Sequence, residues 1–305
     1  MCRDAGMVTE DRNALVVLGA TATGKTSCAV ALARKFSAEI LSADSRQVYR
    51  GLDIGSGKDL REYGEVPYHL VDIVSLPDEY SVYQYQRDFY RVFNEVQSRG
   101  ALPIMVGGTG MYLDSIIRGY RFRDVPRNES LRKELEPLDS DALQARLLQS
   151  KREIHNRTDL DDRERLVRAI EIAECPEGDE LPPINFKPLV LGICFPRSEL
   201  RQRIRIRLDA RIEEGLIEEV EQIHASGISW ERLERLGLEY RATAEYLQGK
   251  IPTLEEYSNR LYTMICQFAK RQETWFRGME RKGVVVSWIE NGNLSAAVSQ
   301  VEQFF

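Results

Sequence analysis

The chain has 305 residues, 43% of them apolar and 30% charged, with a formal net charge of -6. That balance suits a globular protein of one large domain or two ordinary ones, and it argues against indiscriminate nucleic-acid binding while allowing a local basic surface. No run of about 18 apolar residues occurs, so no spanning helix or membrane partner is expected. The mixed-charge N-terminus MCRDAGMVTEDRN lacks the apolar core of a signal peptide. Cys2, Cys28, Cys175, Cys194 and Cys266 are odd in number and scattered, and His69, His155 and His224 lie far apart. This argues against a structural zinc site and for reduced thiols in a cytoplasm.

In chain order, Ala14–Leu18 predicts a buried strand, followed by a Gly-rich turn and a helix to about Phe36. Glu39–Ser42 predicts a second strand and Tyr68–Ile73 a third. Ser81–Arg99 predicts a helix, with Ser81 as N-cap and Gly100 at its exit. Pro103–Val106 predicts a strand that runs into Gly107-Gly108-Thr109-Gly110. From Tyr120 the chain turns charged and rich in Leu and Arg, without a strand pattern, and ends in the loop 175–183. Leu189–Cys194 then returns as a strand, with long helices over Ser198–His224 and Leu254–Gly278 and a last strand over Val284–Trp288 before a closing helix. The pattern is α/β: a P-loop-like parallel sheet flanked by helices, formed by residues 1–120 and 186–305, with a helical insertion domain over 121–185.

Gly19, Ala20, Thr21, Ala22, Thr23, Gly24, Lys25 and Thr26 match G-x-x-x-x-G-K-[ST] between a predicted strand and a predicted helix. In such a loop successive backbone N–H groups face phosphate oxygens, the lysine supplies a cation and the terminal hydroxyl can ligate Mg2+. The motif leaves open which phosphate it holds. The usual companion, an apolar strand ending in a metal-binding Asp, has no counterpart at Met105-Val106-Gly107-Gly108-Thr109, which speaks against ATP hydrolysis. Asp44 follows the second strand and should face the same crevice. It reads either as a reactive carboxylate or as the cap of a following helix, with Gln47 completing a capping-box-like pattern. Thr109 has a similar alternative as N-cap of Gly110–Arg118.

The segment Ser42–Gly55, SADSRQVYRGLDIG, resembles a block of the tRNA dimethylallyltransferase (tRNA isopentenyltransferase) family of bacterial type. That family also carries a cradle like Gly19–Thr26, an H-L-[IV]-D-I strand like His69–Ile73, a V-G-G-T-G-x-Y turn like Val106–Tyr112 and an AKRQ-x-TWFR block like Ala269–Arg277. These blocks occur here in the family's order and span nearly the whole chain. Ala20 and Thr23 replace the family's usual Pro and Ser, Ser56-Gly57-Lys58-Asp59 stands where T-A-K-P is common, and Leu236–Arg241 is one residue longer than the usual I-G-Y-[KR].

The resemblance implies transfer of a dimethylallyl group from dimethylallyl diphosphate to the exocyclic amine of the adenosine at tRNA position 37, beside the anticodon. The diphosphate would lie in the cradle, with Mg2+ on Thr26 as cofactor, and the catalytic residues would be Asp44, Lys25 and Thr109. Contacts to the anticodon stem-loop would come from Asp44, Ser45, Arg46, Gln47, Thr109, Arg132, Glu164, Arg165, Leu166, Val167, Arg168, Tyr240, Arg241, Lys270, Arg271, Gln272 and Arg277. The enzyme would act as a cytoplasmic monomer. Read without the resemblance, Gln267–Arg277 is an amphipathic helix with Phe268, Trp275 and Phe276 buried. Arg201, Arg203, Arg205 and Arg207 do not share one helical face, so several of them read as ordinary salt-bridging surface residues. A P-loop small-molecule kinase fits the cradle equally well, and an isopentenyltransferase acting on free adenine nucleotides would lack use for the insertion and the AKRQ block.

Overall fold

A computed structural model describes residues 11–150, 163–175 and 178–305. The N-terminus through Glu10 with Cys2, His155 in the insertion, and Pro176-Glu177 of the loop 175–183 lie outside the described residues. The chain separates into two compact units, residues up to Tyr120 together with Ile184–Phe305, and Arg121–Pro183.

The first unit is built on a parallel sheet. Strand β1 (Ala14–Gly19) is wholly buried, as expected for an apolar run covered on both faces. Helix α1 (Lys25–Phe36) follows the cradle, and strand β2 (Ala38–Ala43) follows α1. Strand β3 is only Tyr68–His69. The expected extension to Ile73 fails because Leu70 and Asp72 take positive φ values of 63° and 56°. Beyond them the Ile73 and Val74 N–H groups bond to Val48 instead of continuing a strand. Helix α2 (Val82–Ser98) starts in a complete capping box, with Ser81 accepting from the Gln84 N–H and Gln84 accepting from Ser81. Strand β4 (Leu102–Gly107) leads into helix α3 (Gly110–Ile117).

The second unit is a small helical bundle, α4 (Glu129–Leu135), α5 (Ser140–Ser150) and α6 (Arg163–Glu174). Leu131, Leu135, Leu143, Leu147, Leu166, Val167 and Ile170 form its core. Their spacing of three and four residues puts them on one face of each helix.

Strand β5 (Pro188–Cys194) rejoins the first sheet beside β1. The helix expected over Ser198–His224 is two, α7 (Arg197–Glu213) and α8 (Leu216–Ala225). Gly215, at φ 104°, turns the chain between them, a conformation open to glycine and strained for other residues. Helices α9 (Trp230–Arg235), α10 (Leu238–Leu247) and the 28-residue α11 (Leu254–Arg281) follow. Strand β6 is Ser287–Glu290, later than expected, and α12 (Leu294–Val301) closes the unit. The strand order is β3-β2-β4-β1-β5-β6. Leu15, Val17, Ile104, Val106, Leu191 and Ile193 pack with α1 and α12 on one face. A second cluster joins Ala20 and Ala22 of the cradle to α7, α10 and α11. Among the described residues no helix is long and apolar enough to cross a membrane.

Candidate active site

Adjacent strands β1, β2 and β4 end on the same side of the sheet, because all are parallel, and each delivers one part of the site. After β1 the cradle runs into α1, with Ala22 at φ 63° and Gly24 at φ 77° folding the loop back on itself. The half-buried Lys25 and Thr26 open the helix. Burial of the ammonium, together with the Arg207 guanidinium, pushes Lys25 down from 10.5 to about 8, while the Asp44 charge partly offsets this. Thr23 is buried, its hydroxyl donating to the Ala20 carbonyl at 2.8 Å, so it shapes the loop from within.

Asp44 follows β2. No helix comes after it, so the expected helix cap is instead a tight turn: Asp44 Oδ1 accepts the N–H groups of Arg46 at 2.8 Å and Gln47 at 3.4 Å. Among the described residues these are the donors that reach the carboxylate, which leaves Oδ2 for a group from outside. Gln47 does not complete a capping box. Its buried side chain accepts from Ser42 Oγ at 3.1 Å and donates to the Gly57 carbonyl at 3.1 Å, tying the Asp44 turn to the next loop.

Thr109 follows β4 and occupies the N-cap position of α3, yet its side chain makes no cap bond. Its Oγ1 accepts the Ser45 N–H at 3.0 Å, and its own N–H donates to the Ala43 carbonyl at 3.2 Å. The turn after β4 therefore braces the turn that holds Asp44. Glycine is required where these backbones meet: a Cβ on Gly107 would lie 2.2 Å from the Ala43 oxygen. Tyr85 reaches up from α2 to donate to the Ser42 carbonyl at 3.1 Å and stacks on Tyr112 at 3.8 Å between ring centroids.

Two further cations, Arg203 and Arg207, reach the cradle and its neighbouring loop. Arg203, Arg207 and Arg211 lie four residues apart on α7, beside the buried row Leu200, Ile204 and Leu208, and share a face, while Arg205 lies on another, as expected, bonded to Ser258 and Asn259. Arg203 donates through Nε to the Ala22 carbonyl at 2.9 Å and lies over the Phe195 ring at 4.3 Å. Arg207 approaches so closely that a Cβ on Gly57 would lie 1.9 Å from its Nη2. Arg211 holds Asp59. The spacing was visible in RQRIRIRLDAR; the face it belongs to was not, because charged residues flank the helix on several sides.

Other predicted residues are buried or held by ion pairs. Tyr240 is 0% exposed; its hydroxyl donates to Glu219 at 2.8 Å and accepts the Ser56 N–H at 3.1 Å. Glu219 also accepts the N–H groups of Asp53, Ile54 and Gly55, so the DIG segment is held by a half-buried acid and a buried phenol. Lys58 is buried too, with its ammonium on Asp53 and Asp72. Gln272 is turned into the protein, where Oε1 accepts the Thr21 N–H at 2.9 Å and Nε2 donates to the Gly108 carbonyl at 2.8 Å. Leu166 and Val167 belong to the core of the helical unit. Arg132 gives its fork to the buried Glu171, at 2.7 and 2.9 Å, and a further bond to Glu164 at 3.1 Å. Arg168 bonds Glu171 and the Val125 carbonyl. Tyr240, Gln272, Leu166 and Val167, like Gln47, are therefore corrected from RNA-facing positions to buried ones, whereas Arg132 and Arg168 are paired within the helical unit and remain partly exposed.

Ser45 and Arg46 are half-buried, and Glu164, Arg165 and Arg241 exposed. On α11 the exposed side is basic: Lys270, Arg271 and Arg277 face outward while Ala269, Phe276 and Met279 are buried, and Trp275 is half-buried against Gly110. The helix is amphipathic, with Phe276 on the buried face, Phe268 and Trp275 only half-buried, and a cationic face outside.

The site thus brings together the cradle loop, a cationic helix face and a carboxylate whose Oδ2 has no partner among the described residues. A family model described as IPP transferase matches residues 47–279, and one described as isopentenyl transferase matches residues 12–66. The chain is 54% identical over 289 residues to the protein named tRNA dimethylallyltransferase 2 of Treponema denticola, covering 92% of this chain and 97% of that one. It resembles the solved full-length tRNA isopentenylpyrophosphate transferase of Bacillus halodurans with a TM-score of 0.71 and 30% identity, over 97% of this chain and 95% of that one. It also resembles a eukaryotic dimethylallyltransferase solved acting on tRNA, with a TM-score of 0.77 and 25% identity, over 96% of this chain and 77% of the other. With a family model spanning most of its length and a relative identical at more than half of the aligned positions, the chain belongs to the IPP transferase family.

Proposed function

We propose that this protein transfers the dimethylallyl group of dimethylallyl diphosphate to the exocyclic amine of the adenosine at tRNA position 37. The allylic carbon–oxygen bond breaks and its electron pair leaves with diphosphate. The adenine N6 lone pair forms the new carbon–nitrogen bond, and the N6 proton passes to Asp44. Negative charge grows on the leaving diphosphate, where the backbone N–H groups of Ala22–Thr26, Lys25 and the Arg207 guanidinium would meet it. Asp44 Oδ1 is already engaged by its turn, which orients Oδ2 to accept from the amine and take its proton.

Mg2+ fits this donor set. Among the described residues no group of three or more His, Cys, Asp or Glu could hold a metal, and Thr26 offers a single hard oxygen at the helix start. Mg2+ commonly takes one or two protein oxygens and completes its shell with phosphate and water. It would neutralise charge on the diphosphate when bound. Lys270, Arg271 and Arg277 form a face suited to RNA phosphates.

The observation that carries this reading is the meeting of the cradle, its cations and an open Asp44 oxygen at the ends of three neighbouring strands. Purified protein, Mg2+, labelled dimethylallyl diphosphate and bulk tRNA test it. Label should enter tRNA. Label entering only AMP or ADP would assign a free-nucleotide isopentenyltransferase, and ATP turnover with a small metabolite in place of prenyl transfer would assign a kinase.

A further inference from the structure

Gln272 lies in the AKRQ block but touches the site from behind. It sits on α11, 251 residues from Thr21 in sequence and 164 from Gly108, and its amide joins the backbones of both. Thr21 N–H can only donate and the Gly108 carbonyl can only accept, so the amide orientation is set by its partners. Thr21 leads into Ala22, whose left-handed turn starts the run of phosphate-facing N–H groups. The Gly108 carbonyl belongs to the peptide that leads into Thr109, the residue that braces the Asp44 turn. The side chain is 6% exposed, on the helix face shared with Ala269 and Phe276, so it has little freedom to move. Gly108 is shaped to receive it: a Cβ there would lie 2.4 Å from Gln272 Nε2 and 3.5 Å from Lys25 Cε.

We infer that Gln272 is a positioning residue, whose side-chain amide sets the distance between the donor cradle at Thr21 and the acceptor side at Gly108-Thr109. An amide suits this place because it offers one acceptor and one donor in a single plane. A carboxylate would set its oxygen against the Gly108 oxygen, and an apolar side chain would leave both backbone groups unpaired. The inference rests on the transfer reaction proposed above, because it is the spacing of donor and acceptor that the bridge controls.

The test compares wild type with Gln272→Met, which keeps chain length and loses both bonds, and Gln272→Glu, which regains a donor only when protonated. Single-turnover transfer is measured at saturating dimethylallyl diphosphate and tRNA, and affinity for an anticodon stem-loop is measured separately. Gln272→Met should lose at least about 10-fold in single-turnover rate, because misplaced reactants react slowly, with RNA affinity unchanged. The rate of Gln272→Glu relative to wild type should climb between about pH 8 and about pH 6, as its buried carboxyl takes up a proton and can donate to Gly108. A single-turnover rate per active site equal to wild type would make the residue mere packing. Weakened RNA affinity with an intact rate would make it an RNA contact. A flat ratio for Gln272→Glu would remove the bridge to Gly108 from the account, and this arm remains decisive where Gln272→Met fails to fold. Wild type runs alongside: if it transfers nothing, the proposed function fails, whereas normal transfer by wild type and variants alike overturns only the role of Gln272.

Discussion

Thr109 Oγ1 accepts the Ser45 N–H at 3.0 Å, so the turn after one strand supports the turn that carries Asp44 after its neighbour. This contact makes the placement of the carboxylate depend on Thr109, 64 positions from Ser45 in sequence. Asp44→Ala should retain donor and tRNA binding but lose at least about 100-fold in transfer rate. Thr109→Val, which leaves the Ser45 N–H without its partner, should fall less, by about 10-fold in kcat. Steady-state kinetics with separate binding measurements check both, and a near-wild-type rate for Asp44→Ala would reduce Asp44 to a turn former.

Lys25 gives a pH dependence with a definite sign. Its folded value, about 8, lies below its ordinary 10.5, so the fold disfavours the charged form. The charged ammonium therefore weakens the free protein at pH below about 8, and the penalty fades as pH rises toward 10.5. A bound diphosphate would raise Lys25 again, so donor binding should take up a proton near pH 8 and weaken at higher pH. Lys25→Met should melt at a higher temperature than wild type at neutral pH, yet bind the donor poorly and without this pH dependence. Calorimetric titration in buffers of different ionisation enthalpy reads the proton uptake.

Arg207 acts on the same ammonium. Removing it relieves the repulsion that helps to depress Lys25, so Arg207→Ala should move the Lys25 titration upward. It also removes a cation from the cradle's rim. The KM for dimethylallyl diphosphate should rise about 10-fold, within the range of a charged hydrogen bond. An unchanged KM would place Arg207 with the structural pairs such as Arg211 and Asp59.

The helical unit turns on Glu171. Burial alone would raise this carboxyl, but Arg132, the Asn128 N–H and Arg168 hold it at about 2, below its ordinary 4.5. The stabilisation is present above pH 4.5 and is lost as pH falls toward 2. Arg132→Met leaves the buried charge without its main partner and should destabilise this unit by about 3–5 kcal/mol. Hydrogen exchange confined to Arg121–Pro183 would register it. A variant as stable as wild type would return Arg132 to the surface role that its sequence context suggested.

Much of this site was legible in the chain because its determinants are local. The cradle needs a strand, a glycine-permitted turn and a helix start within a dozen residues, and Gly19–Thr26 contains them between apolar β1 and α1. Asp44, directly after β2, and Thr109, separated from the end of β4 by one residue, are legible as crevice residues for a similar reason, since parallel strands end on one side of a sheet, while the roles expected of them come from the family resemblance. Those placements depend on alternation, turn residues and strand direction, which neighbouring residues determine by themselves.

The tertiary structure decided which side of each helix and loop meets the site. Arg203 and Arg207 looked like two of several surface arginines until packing of Leu200, Ile204 and Leu208 turned their row toward the cradle. Gln272, Tyr240 and Leu166 sat in motifs that suggested an RNA surface, and all are buried. The third strand stopped at His69 because Leu70 and Asp72 adopt left-handed conformations and the following N–H groups bond to Val48. The physical reason is the same in each case. A helix or an extended run specifies its own spacing, but its inward face is settled by contacts with other elements, for Arg203, Gln272 and Tyr240 more than a hundred positions away, and those contacts exist only after the chain has folded.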